Sequence, residues 1–429
     1  MSWLIWIYRL LFLPTLIFLL PYYLLRMFRR GGYLRDFHQR IGFGKKLTAP
    51  SKPRIWIQAV SVGEILAIES LVRQLQEKEY EVVITTTTST AYQLALEKYQ
   101  ENVSFTGLFP LDFLPFTYLT WQRIRPTLAI LMESELWPEH LWQARQRKVP
   151  VLLVNARMSD HSFKRAKRVK WAYRSILQSL EGIAASSPQD LLRYTELGFT
   201  KKKAICSGNL KLDFELGQEL TSEETKKWRQ DMGFPQESAI ILGSSTWPGE
   251  EDILLEAFVK LLEKGLDCRL VLVPRHVERR HEIRQLLENQ NLPWHFRTDI
   301  APPPGPVKIY VADTTGELRN FTQLATVAFI GKTLPPNEGS QSPIEAAAFG
   351  IPSIYGPSTS NFRIISQQLE SANASYRIKG HEDLFSCLFD LLNNGEQLRQ
   401  MSEAARSWHM DNAGATKQTL NLFSKYLEP

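Results

Sequence analysis

A chain of 429 residues is long enough for about two to three domains. Hydrophobic residues make up 44% and charged ones 22%, the balance of an ordinary globular protein rather than a disordered or low-complexity one. The net charge of +6 is too mild to name a partner, and the widely spaced Cys206, Cys268 and Cys387 argue against a disulfide framework or a structural zinc site and for a reducing compartment.

Trp3 to Leu25 is almost wholly apolar, with Arg9 its only charge. About 20 such residues suffice to cross a bilayer. Pro14 and Pro21 would kink such a helix, and Tyr22 and Tyr23 fall where an interfacial aromatic belt would lie. Arg26, Arg29, Arg30, Arg35 and Arg40 follow, so the positive-inside rule puts the remainder of the chain in the cytoplasm. A helix lying in the interface is the alternative, because Arg9 and the prolines weaken a clean span. In either case residues 1–30 are expected to act as a membrane anchor. A cleaved signal peptide fits less well, since the charge follows the apolar run.

From Pro53 the pattern alternates between strand and helix. Strands are expected at Arg54–Val60, Glu81–Thr86, Val103–Leu108, Leu128–Met132, Val151–Asn155, Ile183–Ala185 and Ala204–Ser207, with helices at Val62–Leu75, Thr90–Tyr99, Glu139–Arg147 and from Pro188. This is a parallel α/β domain with helices on both faces, over residues 31–212. Residues 213–236 are polar and helical and read as a linker. A second α/β domain, 237–429, restarts with strand Ala239–Gly243, helix Glu250–Lys264, strand Cys268–Pro274 and helix Val277–Asn289. The Pro/Gly loop at 302–306 leads to strand Lys308–Val311, a helix and strand Thr326–Ile330; the last helix is free to pack back on the first domain. Two such domains put ligands in a cleft between them, at the carboxyl ends of the strands.

After strand Thr326–Ile330 comes a loop broken by Pro335, Pro336 and Gly339, then a short helix Ile344–Phe349, Gly350 and a strand Ile351–Tyr355. Ser342 suits the N-cap, Pro343 the first helical position, and Glu345 the reciprocal place in a capping box. A helix start after a strand is a natural seat for a phosphate with a ribose beside it. Glu345 therefore has two readings, a capping carboxylate or an acceptor for sugar hydroxyls.

Other segments place polar groups just after a strand. In Gln58–Leu66, Gly63 permits close approach, and Glu64 is either a helix-start carboxylate or a general base. In Met132–His140, Glu133 and Glu135 follow a strand directly, ahead of Trp137-Pro138. In Asn155–Arg174 the basic Lys164, Arg165, Lys167 and Arg168 are interleaved with aromatic residues. Such a run is a solvated face or, next to a membrane anchor, a contact for anionic headgroups or a phosphorylated lipid. Nucleic acid is disfavoured, since no known nucleic-acid module accompanies the run. In the second domain, 243–252 is a small-residue loop, 272–276 carries Arg275 and His276 at a strand's end, and 312–318 repeats the strand–small residue–helix arrangement.

Taken together, the segments SVGE, ESELWP, NAR, GNLK, STWPGEE, VPRH, DTTGEL and PIEAAAFG occur in the order found in 3-deoxy-D-manno-octulosonic acid (Kdo) transferases, and the chain resembles that family over its whole length. The resemblance implies a GT-B fold, an α/β class of two Rossmann-like domains with a cleft between them plus the N-terminal membrane-anchor helix. The first domain would take the acceptor and the second CMP-Kdo. The implied reaction is inverting Kdo transfer from CMP-β-Kdo to a lipid A precursor at the cytoplasmic side of the bacterial inner membrane, with no metal or other cofactor. By matching position, Glu64 would be the general base, and Glu133 and Lys211 would stabilise the transition state. Pro274, Arg275, Thr315, Gly316, Glu317, Ser342, Pro343, Ile344 and Glu345 would bind CMP, with Glu345 on the ribose. Lys164, Arg165, Lys167 and Arg168 would face the acceptor or membrane. One run departs from the family pattern. A Gly-Gly pair and a Gly-Gly-His-Asn run become Gly331-Lys332 and Gly339-Ser340-Gln341-Ser342, leaving Lys332, Gln341 and Ser342 as substitute donors. A GT-B enzyme for another nucleotide sugar, or a non-catalytic lipid-binding protein on the same scaffold, are the competing readings.

Overall fold

The computed structural model describes residues 2–30, 36–213, 219–299, 303 and 305–427. The expected basic flank lies mostly outside this: Arg35 is not described, nor are the side chains of Tyr22, Tyr23, Arg26, Arg29 and Arg30. The loop at 302–306 and the segment 214–218 fall outside it in part or in whole. The chain divides into unit 1, Met1–Glu215 with Asn412–Pro429, and unit 2, Leu216–Asp411.

Among the described residues unit 1 holds seven strands: β1 (Arg54–Gln58), β2 (Glu81–Thr86), β3 (Phe105–Leu108), β4 (Leu128–Met132), β5 (Val151–Ala156), β6 (Gly182–Ala185) and β7 (Ala204–Cys206). They form one sheet in the order β3-β2-β1-β4-β5-β6-β7, parallel throughout. Helices cover both faces, so the inner strands are continuous apolar runs rather than alternating ones. Every residue of β1, β4 and β5 is buried. Ile55 and Ile57 join one core cluster and Trp56, between them, joins the cluster on the other face, as the period of two requires. The helix Ala415–Leu427 closes this unit: Asp213 accepts from the backbone of Gly414 and Thr416, and Phe423 is fully buried.

Unit 2 repeats the plan with β8 (Ala239–Thr246), β9 (Cys268–Pro274), β10 (Trp294–Phe296), β11 (Ile309–Val311), β12 (Val327–Ile330), β13 (Ser353–Tyr355) and β14 (Ser375–Arg377). Its order is β10-β11-β9-β8-β12-β13-β14, again all parallel. Apolar clusters lie on both faces.

Several expected elements shift. The helix expected over 62–75 is two, Val62–Ala67 and Glu69–Glu77. The Tyr99 hydroxyl donates to the Ile65 carbonyl at 2.8 Å, a group the next helical turn would otherwise use. The basic helix is also broken, at Val169, into Asp160–Arg168 and Lys170–Leu177. Helix Leu114–Ile124 was not legible in a stretch rich in Phe, Tyr, Thr and Trp; Trp121 and Ile124, both fully buried, hold it by packing. The short strands β10 and β14 are three residues each, too brief for a period to register.

The N-terminal helix Ser2–Arg30 is present, but among the described residues no helix is long and apolar enough to cross a membrane. The expected span is thus not supported. One face of the helix is spent on unit 1. Ile5 is buried, Phe12 stacks on Phe113 with centroids 5.2 Å apart, and Trp3 stacks on Trp171 at 5.2 Å. Arg9 makes a bidentate pair with the wholly buried Glu139, Nε–Oε2 2.8 Å and Nη2–Oε1 2.9 Å. The Tyr8 hydroxyl donates to Asp112 at 2.9 Å, and Asp112 accepts from the Glu139 and His140 backbone at 3.0 and 2.8 Å. Asp112 thus caps the helix Pro138–Gln146 from outside it.

Removing one partner of a buried ion pair strands the other charge. Arg9→Met is expected to destabilise unit 1 by about 3 kcal/mol in urea unfolding. The double variant Arg9→Met/Glu139→Leu should lose less than the two single losses added together. Additive losses would show that the pair is not a coupled clamp.

Candidate active site

In unit 1 the polar groups gather at the carboxyl edge of the sheet, where the strands stop and backbone turns outward. After β1 the chain enters helix Val62–Ala67 through Ser61, whose hydroxyl oxygen accepts from the Glu64 backbone at 3.4 Å. The Glu64 carboxylate folds back on its own helix start, with Oε2 accepting from Val60 N at 2.9 Å and Oε1 from the Ser61 hydroxyl at 2.8 Å. At 5% exposure Glu64 is buried, within electrostatic reach of Glu133 and Lys211. The capping geometry and the placement beside charged groups therefore hold together. Burial, above all, pushes its carboxyl above the ordinary range, and the charge of Glu133 adds to the rise, against hydrogen bonds from Val60 and Ser61 and the nearby Lys211.

After β4, Glu133 takes a left-handed conformation, φ 55°. After Val154 in β5, Asn155 does the same, φ 52°. Left-handed backbone is unfavourable for residues other than glycine and tends to mark functional sites. Glu133 Oε1 lies 3.2 Å from Arg157 Nη1 and 3.7 Å from Lys211 Nζ. The Lys211 ammonium sits beside Gly63, 3.5 Å from where a Cβ there would stand. Lys211 is carried on the short turn Leu210–Leu212, whose start is held by Asn209 Oδ1 and by Asn155 Oδ1, which accepts from Leu210 N at 3.2 Å. Asn155 is fully buried, and among the described residues its Nδ2 has no partner. Glu135 accepts from Trp137 Nε1 at 2.8 Å, and its carboxyl is raised to about 7 by burial first, then by the charges of Glu64 and Glu133, against the Trp137 bond.

The structure therefore brings Glu64, Glu133 and Lys211 into one cluster, and adds Glu135, Arg157 and Asn155. Asn155 and Arg157 were visible only as parts of a motif; their links to Leu210 and Glu133 span 55 and 24 residues, which no local pattern shows. Lys164, Arg165, Lys167 and Arg168 are all exposed on the helix Asp160–Arg168. Lys167 pairs with Glu196 at 3.1 Å and lies over the Phe163 ring.

In unit 2 the expected residues again lie beyond strand ends. Pro274 ends β9, and Arg275 follows it, exposed, its backbone donating to Thr246 at 3.0 Å. Gly316 turns at φ 91°. Glu317 pairs with Arg297 at 3.0 Å and accepts from the Thr314 hydroxyl. Burial would raise the Glu317 carboxyl, but those two partners hold it below the ordinary range. The helix after β12 differs from its expected form. Pro343, not Ser342, is the N-cap residue, and the helix Ile344–Ala348 has five residues. The Ser342 hydroxyl accepts from Ile344 N at 3.3 Å, and Glu345 turns to Arg319 at 3.7 Å instead of closing a capping box. Burial raises the Glu345 carboxyl, with Arg319 opposing. A five-residue helix has too short a dipole to seat a phosphate alone.

One residue absent from the expected set organises this edge. Glu250 is 1% exposed, and its carboxylate accepts from four backbone groups: Trp247 N at 2.9 Å, Lys332 N at 2.8 Å, Thr333 N at 2.8 Å and Leu334 N at 3.2 Å. It ties the loop after β8 to the loop after β12. Gly331 is required there, since a Cβ would stand 2.2 Å from the Ser245 carbonyl oxygen. Among the described residues no group of three or more His, Cys, Asp or Glu is placed to hold a metal ion.

Comparison with known proteins bears on this geometry. Residues 35–214 match the family model described as 3-deoxy-D-manno-octulosonic-acid transferase (kdotransferase). A 3-deoxy-D-manno-octulosonic acid transferase of Haemophilus influenzae is 31% identical over 403 residues, 92% of this chain and 92% of that one. One from Bordetella pertussis is also 31% identical, over 94% of this chain and 95% of that one. Among solved structures, UDP-GlcNAc 2-epimerase from Neisseria meningitidis aligns with TM-score 0.58 at 14% identity, over 87% of this chain and all of that one. A glycosyltransferase from Rickettsia africae aligns with TM-score 0.57, also at 14% identity, over 88% of this chain and 99% of that one. At that identity the likeness is one of fold, two parallel-sheet α/β domains of the GT-B kind.

The cluster predicts a titration. Followed by carboxyl NMR, Glu135 should titrate near pH 7 and Glu64 above the ordinary glutamate range. Glu133→Gln removes a charge that raises both, so both should move to lower pH. A raised carboxyl binds its proton more tightly folded than unfolded. It therefore favours the fold at low pH, and that contribution is lost as pH rises towards about 7 for Glu135. Values unmoved by Glu133→Gln would show that the carboxylates are not coupled.

Proposed function

The chain belongs to the 3-deoxy-D-manno-octulosonic acid transferase family, a family of glycosyltransferases, and from that premise we propose that it moves Kdo from CMP-β-Kdo to a lipid A precursor with inversion. The observation that carries the reading is the convergence of Glu64, Glu133 and Lys211 at one sheet edge from segments far apart in sequence. Glu64 acts as general base. Its oxygens each use one lone pair on Ser61 or Val60, and each has another for an acceptor hydroxyl. Its raised affinity for protons, compared with an ordinary glutamate, suits a base working near neutral pH. The hydroxyl oxygen bonds to the anomeric carbon as the bond from that carbon to the CMP oxygen breaks, and the hydroxyl proton passes to Glu64. Glu133 orients Lys211, whose cation offsets the negative charge of the reacting groups. In unit 2, Pro274, Arg275, Thr315, Gly316, Glu317, Ser342, Pro343, Ile344 and Glu345 form the CMP-binding edge. The reaction needs no metal or other cofactor.

Membrane association belongs to the same reading. The N-terminal helix buries its polar Tyr8 and Arg9 on unit 1 and exposes Trp3, Trp6, Ile7, Leu10, Leu11, Ile17 and Phe18, with Leu10 at 75% and Phe18 at 84%. An exposed apolar helix face of this size fits an interfacial helix lying in one leaflet. Exposed Trp171 and Val169 extend the apolar surface next to the basic Lys164, Arg165, Lys167 and Arg168, which suit anionic headgroups or acceptor phosphates. The reading puts the site of action at the cytoplasmic face of the inner membrane, and the exposed apolar helix face beside basic residues supports it.

Glu64→Gln should lower Kdo transfer by at least about 100-fold, the usual contribution of a general base, while cytidine monophosphate still raises the melting temperature. Near-normal turnover in the folded variant would remove Glu64 from the role. Stabilisation by UDP or GDP in preference to CMP would point to another donor. Replacing Leu10 and Phe18 together by Ser should weaken sedimentation with anionic vesicles, without changing the melting temperature. Unchanged sedimentation would detach the helix face from membrane binding.

A further inference from the structure

The edge of unit 2 held by Glu250 carries two groups that lack the same kind of partner. Lys332 follows Gly331 in a left-handed conformation, φ 62°, and its backbone N–H is fixed on Glu250. Its stem runs beside Gly339, where a Cβ would stand 3.5 Å from Lys332 Cδ. Its ammonium lies 4.5 Å from the centre of the Trp247 ring. Among the described residues no carboxylate pairs with it. Trp247 is held by the same carboxylate through its own backbone, at 2.9 Å, and its indole N–H is buried with no acceptor among the described residues. The edge of His276, which follows Arg275, stands against the same indole at 5.3 Å. A strained, non-glycine backbone conformation, fixed by a buried anion, thus aims a cation at an aromatic ring rather than at a counter-ion. The indole N–H and the ammonium both call for an acceptor oxygen, preferably a charged one.

We propose that Lys332 and Trp247 form a carboxylate seat that takes the acid group of the transferred sugar. This rests on the reading of the donor as CMP-Kdo, whose sugar is an ulosonic acid. A single ammonium and a single N–H offer one donor to each oxygen of a carboxylate. A phosphate is more commonly held by a guanidinium fork or by several backbone N–H groups. The backbone of Gln341, which donates to the Gly331 carbonyl at 2.9 Å, closes the loop on the side of Gly339. Glu250 is the positioning residue: it holds both loops and touches neither the sugar nor the nucleotide.

The test uses the full chain and compares the KM for CMP-Kdo with the inhibition constant of CMP, which lacks the sugar carboxylate. Lys332→Ala should raise the KM about tenfold or more, the scale of one lost charge-assisted hydrogen bond, and leave the CMP constant within about twofold. Lys332→Arg should recover most of the loss. Trp247→Phe keeps a ring under the ammonium and deletes the N–H, so it should raise the KM by a smaller factor. A KM unchanged in Lys332→Ala overturns the seat, and an equal rise in both constants overturns it by assigning the lysine to the phosphate. If the unaltered protein neither uses CMP-Kdo nor binds CMP, the functional reading itself fails and the seat fails with it, a result distinct from failure of the variants alone.

Discussion

A parallel sheet covered on both faces leaves its strands almost no place for polar side chains except their ends. In β1, β4 and β5 every residue is buried, and the charged groups appear as soon as those strands stop. All strands of a parallel sheet stop on the same edge. Glu64, Glu133, Arg157 and Lys211 therefore meet there although they are spread over nearly the whole of unit 1. The same constraint acts in unit 2, where β8, β9 and β12 bring Trp247, Arg275 and Lys332 to one edge.

Gathering charges in this way has an electrostatic cost that the local geometry offsets. Three carboxylates share unit 1's edge with two cations. Burial and mutual repulsion raise Glu64 and Glu135, so the cluster favours holding protons at a pH where isolated glutamates would be ionised. The left-handed turns at Glu133 and Asn155 add backbone strain that the surrounding bonds must over-determine. Glu133 does so through its backbone N–H, which donates to the Val154 carbonyl at 2.9 Å, and through Arg157, and Asn155 does so through Leu210. Unit 2 solves its version differently, with one buried carboxylate, Glu250, absorbing four N–H donors from two loops.

The N-terminal helix packs both polar and apolar side chains on unit 1. Arg9 and Tyr8 meet Glu139 and Asp112 at the start of helix Pro138–Gln146, beside the buried Ile5 and the stacked Phe12, while Leu10 and Phe18 stay exposed. Burial raises Asp112 to about 7 even against the three hydrogen bonds it accepts, and drives His140 down to about 3, so the imidazole there stays neutral. The acidic loop that supplies Glu133 to the cluster runs directly into this docking point. The clamp on the N-terminal helix and the candidate chemistry are thus built on one continuous segment, Met132–His140.

By itself the sequence determined the α/β class, most strand positions and the residue types at the strand ends, because burial on both faces writes apolar runs and the edge writes small and charged residues. Glu81–Thr86, Leu128–Met132 and Cys268–Pro274 stand where those runs predicted them. Family membership was also legible, from short motifs that occur in one order along the chain. Tertiary structure alone decided the rest. It paired Arg9 with Glu139, 130 residues on, and so docked one face of the N-terminal helix on unit 1. It turned Glu345 to Arg319 instead of to its own helix start. It tied Lys332 to Glu250 across 82 residues and laid its ammonium over Trp247. Each of these is a contact between residues distant in sequence, fixed by how strands and helices pack, and local periodicity carries no record of such contacts.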